Sequence, residues 1–256
     1  MNPPQHISSR DNPLIKRLRQ LAQDNTAYRK LGQVWLEGDH LCRALLDRGG
    51  RPLQAVFTEA GWQRAPDALR RACTHNTIVP EALMATVSGL ESPADMGFVL
   101  ALPAQTGLVP GQPAVVLDRV QDAGNVGSIL RSAGAFGFRQ VLAIRGTAAL
   151  WSPKVVRAGM GAHFGLRLVE GLAPADLAGL GLPLLVTSSH RGQWLHRATL
   201  PWPCAWVMGH EGQGVAPQIE AMAADAVRIA QPGGEESLNV AAAAAICLHA
   251  SAAAAA

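Results

Sequence analysis

Val115-Val-Leu-Asp118-Arg-Val-Gln-Asp122-Ala-Gly-Asn125-Val-Gly127-Ser-Ile-Leu-Arg131-Ser-Ala-Gly-Ala-Phe136-Gly137 passes from a short apolar run, through a polar turn, into a helical pattern. Asn125 suits a helix cap, and Gly127 leaves the first turn open to another backbone. Arg131 follows one turn later on the same face. Further apolar runs occur at 141–144, 166–169, 184–187, 205–208 and 227–229. Helical patterns at 125–136, 153–159 and 217–224, and a long one from about 237, lie between or after them. Short strands without polar alternation, separated by helices, predict an α/β fold with a parallel sheet covered on both faces.

Upstream the pattern is smaller and mixed. Apolar runs at 34–36, 53–58, 77–79 and 98–102 alternate with helical stretches at 39–48 and 63–71, which predicts a small α/β domain. A helix opens near Asp11 or Asn12 with Pro13 in its first turn, and Leu14, Ile15, Leu18 and Leu21 fall at helical spacing. A Gly- and Pro-rich stretch without periodicity then suggests a joint. The expected division is residues 1–105, a linker at 106–112, and a second domain at 113–256.

The 256 residues hold 22 basic and 19 acidic side chains, a net charge of +3. That excludes an acidic solvating chain and a polybasic tail protein, and permits a nucleic-acid binder that concentrates its charge. The first thirty residues carry six bases against two acids, so +4 is concentrated there. Lys16, Arg17 and Arg19 lie opposite the apolar stripe of the first helix, either as a solvated face or as a phosphate-tracking surface. Of the 22 bases three are lysine, leaving nineteen arginines, a bias that suits RNA and that a G+C-rich coding sequence also produces.

With 48% apolar and 16% charged residues the chain is globular. Cys42, Cys73, Cys204 and Cys247 form neither a zinc spacing nor a disulfide framework. The eight histidines, His190 and His196 among them, show no ligand spacing, so no metal is expected. The opening MNPPQHISSRDNPLIKRL has no apolar signal core, and the alanine-rich tail is too weakly apolar for a membrane span. A cytoplasmic protein is expected.

Open parallel sheets bind ligands beyond the carboxyl ends of their strands. Neither common phosphate cradle, G-x-G-x-x-G or G-x-x-x-x-G-K-[ST], occurs there. The fifth apolar run instead leads into Gly209-His-Glu211-Gly212-Gln-Gly214, whose glycines admit close backbone approach. Alone it also reads as an ordinary glycine turn. The last run leads into Pro232-Gly-Gly-Glu-Glu236-Ser237-Leu238-Asn239, where Ser237 is a natural helix cap and Glu236 is placed near a positive helix end. Ser237 lacks the His/Asp arrangement of a nucleophile. Asp118 and Asp122 read as loop acids.

Together the three loops resemble the three motifs of the SpoU/TrmH family of RNA 2′-O-ribose methyltransferases, in the SPOUT superfamily. The matching strings are N-x-G-x-x-x-R-x-x-x-x-F-G at 125–137, G-x-E-G-x-G at 209–214 and E-S-L-N-V-A at 236–241. The first block, with S-R-D-N-P-L-I-K-R-L and L-E-G-D-H-L, looks more loosely like that family's substrate-binding domain.

The resemblance implies an L30e-like RNA-binding domain followed by a SPOUT domain with a trefoil knot. It implies S-adenosylmethionine as cofactor and a homodimer. By position it assigns Thr187, Ser188, Gly209, Glu211, Gly212, Gly214, Ile229, Gln231, Leu238 and Asn239 to the cofactor. Arg131, Asn125, Glu211, Ser237 and Asn239 become the catalytic set. Lys16, Arg17, Arg19 and Arg131 become the RNA contacts.

The expected reaction is methyl transfer to a ribose 2′-OH, which implies RNA and not DNA. Ribosomal (23S) RNA is favoured over tRNA. A tRNA methyltransferase, a base methyltransferase and a non-catalytic RNA-binding or assembly factor are the alternatives. The family proposes the arginine matching Arg131 as base, whereas a permanently charged guanidinium is better suited to anchoring phosphate. Four positions depart from the family pattern: Ala123 where proline is frequent, His210 where asparagine or serine is common, and Ala230-Gln231 where Pro-Met is usual.

Overall fold

The structure is a computed structural model that describes residues 3–188, 191–233 and 237–255. The chain forms two compact units. One is Met1–Ala104 with Trp151–Phe164, the other Gln105–Leu150 with Gly165–Ala256.

The first unit is built on strands β1 (Gln5–His6), β2 (Gln33–Glu37), β3 (Gln54–Thr58), β4 (Asn76–Val79) and β5 (Met96–Ala101). They form a mixed sheet in the order β1-β4-β3-β5-β2, with β5 antiparallel to both its neighbours. Helices α1 (Pro13–Gln23), α2 (Ala27–Leu31), α3 (Asp39–Asp47), α4 (Glu59–Arg64), α5 (Asp67–Arg70) and α6 (Glu81–Val87) accompany it. Asn12 caps α1, its side chain accepting from Leu14 N at 2.9 Å, and Leu14, Ile15, Leu18 and Leu21 are buried. The stretch expected as one helix at 63–71 is two, α4 and α5, because Pro66 lacks the N–H an uninterrupted helix needs.

In the second unit, β6 (Ala114–Leu117) is followed by α7 (Ala123–Ala135) and β7 (Gln140–Ile144). The segment Trp151–Phe164, with α8 (Pro153–Gly159), belongs to the first unit, although its place in the sequence groups this helix with the second block. The second unit resumes with β8 (Arg167–Leu172), β9 (Leu184–Thr187), β10 (Gln193–Trp194), β11 (Ala205–Met208), α9 (Pro217–Glu220), β12 (Asp225–Arg228) and α10 (Val240–Ala255).

All seven of its strands are parallel, in the order β10-β12-β9-β11-β6-β7-β8. Every residue of the interior strand β6 is fully buried, as near-continuous apolar strands require when both sheet faces are covered. Val116, Leu142, Val186, Val207 and Ile219 belong to one core. On α10, Ser251 is buried and its Oγ accepts the indole N–H of the fully buried Trp206 at 2.8 Å.

Residues 106–112, read as a linker, are stitched to this unit. The buried Gln140 amide donates to the carbonyls of Val109 (2.8 Å) and Gln112 (3.0 Å) and accepts from Val109 N (3.0 Å). Among the described residues no helix is long and apolar enough to cross a membrane.

Candidate functional site

A cavity of about 940 Å³ opens at the carboxyl ends of β9, β11 and β12, against the start of α10. Its walls include all ten residues proposed for the cofactor: Thr187, Ser188, Gly209, Glu211, Gly212, Gly214, Ile229, Gln231, Leu238 and Asn239. Such volumes suit drug- and cofactor-sized ligands. The buried Oε1 of Gln231 has no hydrogen-bond partner among the described residues, so an acceptor is available to a ligand donor.

The Gly209–Gly214 loop forms the cavity's tightest wall. His210 and Gly214 exchange backbone hydrogen bonds at 3.0 and 2.8 Å, and Gly214 takes a left-handed φ of +68°. A Cβ on Gly209 would lie 2.5 Å from the Gly214 carbonyl carbon, so only glycine permits this closure. Nδ1 of His210 accepts from Gly212 N at 3.0 Å and Gln213 N at 3.2 Å. That arrangement requires the tautomer with the proton on Nε2. It explains a departure from the family pattern, since an asparagine or serine oxygen would accept the same turn amides.

Glu211 leaves this loop to hold the start of α7. Its carboxylate accepts from Gln121 N (3.4 Å), Asp122 N (3.3 Å) and Asn125 Nδ2 (3.3 Å). Burial pushes the carboxyl up, but hydrogen bonds from its own N–H, Asn125, Asp122 and Gln121 outweigh it and hold Glu211 below the ordinary carboxylate value. Asn125 Oδ1 in turn accepts from Asn239 Nδ2 at 2.9 Å, and Asn239 Oδ1 accepts from Ala241 N and Ala242 N at 2.9 and 3.2 Å. The chain has an acceptor-only carboxylate at one end and donor-only backbone amides at the other, so both asparagine orientations are determined.

Two expected caps are therefore reassigned. Asp122 caps α7, accepting from Asn125 N at 2.7 Å, and Asn125 is in the first turn. Asn239, not Ser237, caps α10, which begins at Val240. Ser237 is exposed on the cavity wall.

Asp118 and Arg119, which sequence reasoning left aside, brace the glycine loop. Asp118 is fully buried and accepts from Ala216 N at 2.6 Å and from Arg119 Nε at 2.9 Å. Arg119 donates onward to Gln213 Oε1 at 2.9 Å and to the Gly214 carbonyl at 3.4 Å. It adopts φ +60°, unusual for a non-glycine residue, and its N–H donates to Thr147 Oγ1 at 3.1 Å. The carboxylate of Asp118 pushes the guanidinium pKa up. The available sequence signal was weak: an Asp-Arg pair at the end of a fully apolar strand.

Arg131 is exposed on α7, without an ion pair among the described residues and outside the cavity wall. The remaining basic candidates are partly engaged within the first unit. Lys16 pairs with Asp11 at 3.0 Å, Arg17 reaches Gln54 Oε1 at 3.4 Å, and Arg19 donates to the Thr86 carbonyl and hydroxyl at 3.3 and 3.2 Å. Glu236 and His190 lie outside the described residues. Among the described residues no group of three or more metal-ligating side chains is assembled.

Comparison with known proteins gives one consistent result. The model of the SpoU rRNA Methylase family matches residues 112–249. A protein of Synechocystis sp., named an uncharacterized tRNA/rRNA methyltransferase, is 31% identical across 95% of this chain and 92% of its own. A 23S rRNA guanosine 2′-O-methyltransferase of Bacillus subtilis is 27% identical across 86% of this chain and 88% of its own. The solved structure of a TrmH-family protein from Porphyromonas gingivalis superimposes with a TM-score of 0.81 and 32% identity, covering 94% of this chain and 97% of that one.

Proposed function

Since the chain belongs to the SpoU rRNA methylase family, and is thus an RNA methyltransferase dependent on S-adenosylmethionine, we propose that it methylates the 2′-oxygen of a ribose in structured RNA. Ribosomal 23S RNA is the favoured substrate, a preference supported by the Bacillus relative. The observation that carries the reading is the Glu211–Asn125–Asn239 chain, which ties two cavity-lining residues and two helix starts into one polar unit.

The cavity suits the cofactor. Glycine-lined walls admit a flat adenine, Gln231 Oε1 offers an acceptor, and the Glu211 carboxylate supplies negative charge toward a cationic sulfonium. Thr187, Ser188, Gly209, Gly212, Gly214, Ile229, Gln231, Leu238 and Asn239 would hold it. When bound, the cofactor supplies an electrophilic methyl group open to in-line attack by an oxygen.

The protein's part is alignment and charge placement. Glu211 and Asn125 fix the start of α7, from which Arg131 projects about two turns later. A guanidinium stays protonated in proteins, so Arg131 anchors the phosphate beside the target ribose. Ser237 and Asn239 orient the ribose and cofactor at the start of α10. Lys16, Arg17 and Arg19 contribute to substrate docking from the first unit, read as L30e-like on its mixed five-stranded sheet.

The second unit is read as knotted, supported by the insertion of β11 between β6 and β9 and by the return of α10 onto α7. The working form is a cytoplasmic homodimer. Incubating the protein with RNA and methyl-labelled cofactor tests the reading. Label enters RNA with the wild type and falls sharply with Arg131→Ala and Asn239→Ala. Undiminished transfer by both variants contradicts the assigned roles.

A further inference from the structure

The edge strand β10 carries an aromatic and cationic cluster that the cavity does not use. Trp194 is 36% exposed and faces Arg228 of β12 directly across the ladder. The Arg228 guanidinium lies 4.1 Å from the indole centroid. Its Nε donates to the Gly192 carbonyl at 3.1 Å, which holds it there. Gly192 has φ +97°, and a Cβ at that position would collide with the Ala226 carbonyl, so glycine is required for the turn to close onto β12. The His196 ring stacks near the indole, centroids 6.4 Å apart at an interplanar angle of 29°.

Among the described residues this edge carries Arg191, Arg197 and Arg228 against Glu220 and Asp225, so positive charge is in slight excess. Arg197 and His196 are exposed. Of the acids, Glu220 is ion-paired with Arg191 at 2.7 Å, and Asp225 accepts from the neutral Gln193 amide at 2.7 Å. A base has an aromatic face and its backbone is anionic, so stacked aromatics beside arginines suit unpaired RNA of any sequence. Arg228 stands between Val227 and Ile229, both on the cavity wall. Side chains alternate along a strand, so the Arg228 side chain projects to the sheet face opposite Val227, and a base held there lies outside the cavity.

We propose that Trp194, His196 and Arg228 form a stacking platform for an unpaired base of the RNA substrate, with Arg197 on the adjoining phosphate. This rests on the RNA-methyltransferase reading and adds a substrate contact outside the cofactor cavity.

The test is fluorescence anisotropy of a short single-stranded RNA and of the same RNA as a duplex, with calorimetric titration of S-adenosylmethionine alongside. Trp194→Ala weakens single-strand binding about tenfold or more, and Trp194→Phe retains most of it, because stacking needs only an aromatic face. Cofactor affinity stays at the wild-type value, and in methyl transfer Trp194→Ala raises KM at unchanged kcat. Wild-type single-strand affinity in Trp194→Ala, or an equal loss in Trp194→Phe, overturns the platform. If the wild type methylates RNA and Trp194→Ala matches it, the platform alone fails. If the wild type transfers no methyl yet needs Trp194 to bind RNA, the enzymatic reading fails and the platform stands.

Discussion

Asn239 donates from Nδ2 to the Oδ1 of Asn125 across 2.9 Å, joining the capped start of α10 to the first turn of α7. The two residues are 114 positions apart, so this contact exists only when the parallel sheet has assembled. Asn125 and Asn239 act as one unit between Glu211 and α10. A double-mutant cycle with Asn125→Ala and Asn239→Ala should therefore be non-additive, with a coupling of about 1 kcal/mol in methyl-transfer rate. The double variant is then about fivefold more active than independent losses would make it. Strictly multiplicative losses would show that the contact carries nothing.

His210 acts as a turn acceptor. Its Nδ1 takes two backbone amides of the glycine loop. His210→Asn should keep cofactor affinity within about threefold, while His210→Ala should weaken it about tenfold, the loss of one to two net hydrogen bonds. Calorimetric titration of S-adenosylmethionine distinguishes the two. Equal losses in both variants would point to another function for the imidazole.

Removing Arg119 leaves the Asp118 carboxylate buried with, among the described residues, the Ala216 amide as its remaining partner and no compensating cation. Arg119→Ala should lower unfolding free energy by about 2–4 kcal/mol, somewhat less than the ~3–5 kcal/mol for breaking a fully buried pair because the Arg119 side chain is partly exposed. Arg131→Ala, on an exposed face, should change it by less than about 0.5 kcal/mol. Urea unfolding of the two variants checks both values.

Glu211 sets an acid limit. Its folded carboxyl is held below the ordinary 4.5, so the charged form's contribution is complete above that value and is lost as pH falls through the folded value. Cofactor affinity should show no pH dependence from this group between neutrality and about pH 4.5, then fall as pH drops through the folded value. Glu211→Gln should bind more weakly throughout and lack that acid limb. A wild-type limb that persists unchanged in Glu211→Gln would assign it to another group.

Much of this architecture was legible in local pattern. The apolar runs of β9 and β11 and the Pro-led helix α8 match their expected bounds, because burial on both sheet faces and a Pro start leave direct marks in the sequence. The three motif loops were legible as chemistry, since glycine and amide residues cluster after strands. Partner choice was not. The pattern of α8 tells what it buries, and not that its segment joins the first unit. The left-handed Arg119 depends on Thr147, Gln213 and Gly214, up to 95 residues away. Caps shifted for the same reason: Asp122 and Asn239 win because Asn125 and Ser237 stand elsewhere in the local geometry. The basic face of α1 looked free for phosphate, and tertiary folding gives Arg17 and Arg19 partners on β3 and α6.

The central claim is that the methyl group goes to a ribose 2′-oxygen. RNA methylated by the wild-type protein with labelled cofactor should be cleaved with alkali and resolved on a sequencing gel. The account predicts label at a position where one bond resists cleavage, since hydrolysis needs the free 2′-hydroxyl, and no such gap with Arg131→Ala. Label in RNA whose alkaline ladder is unbroken would place the methyl on a base and contradict it.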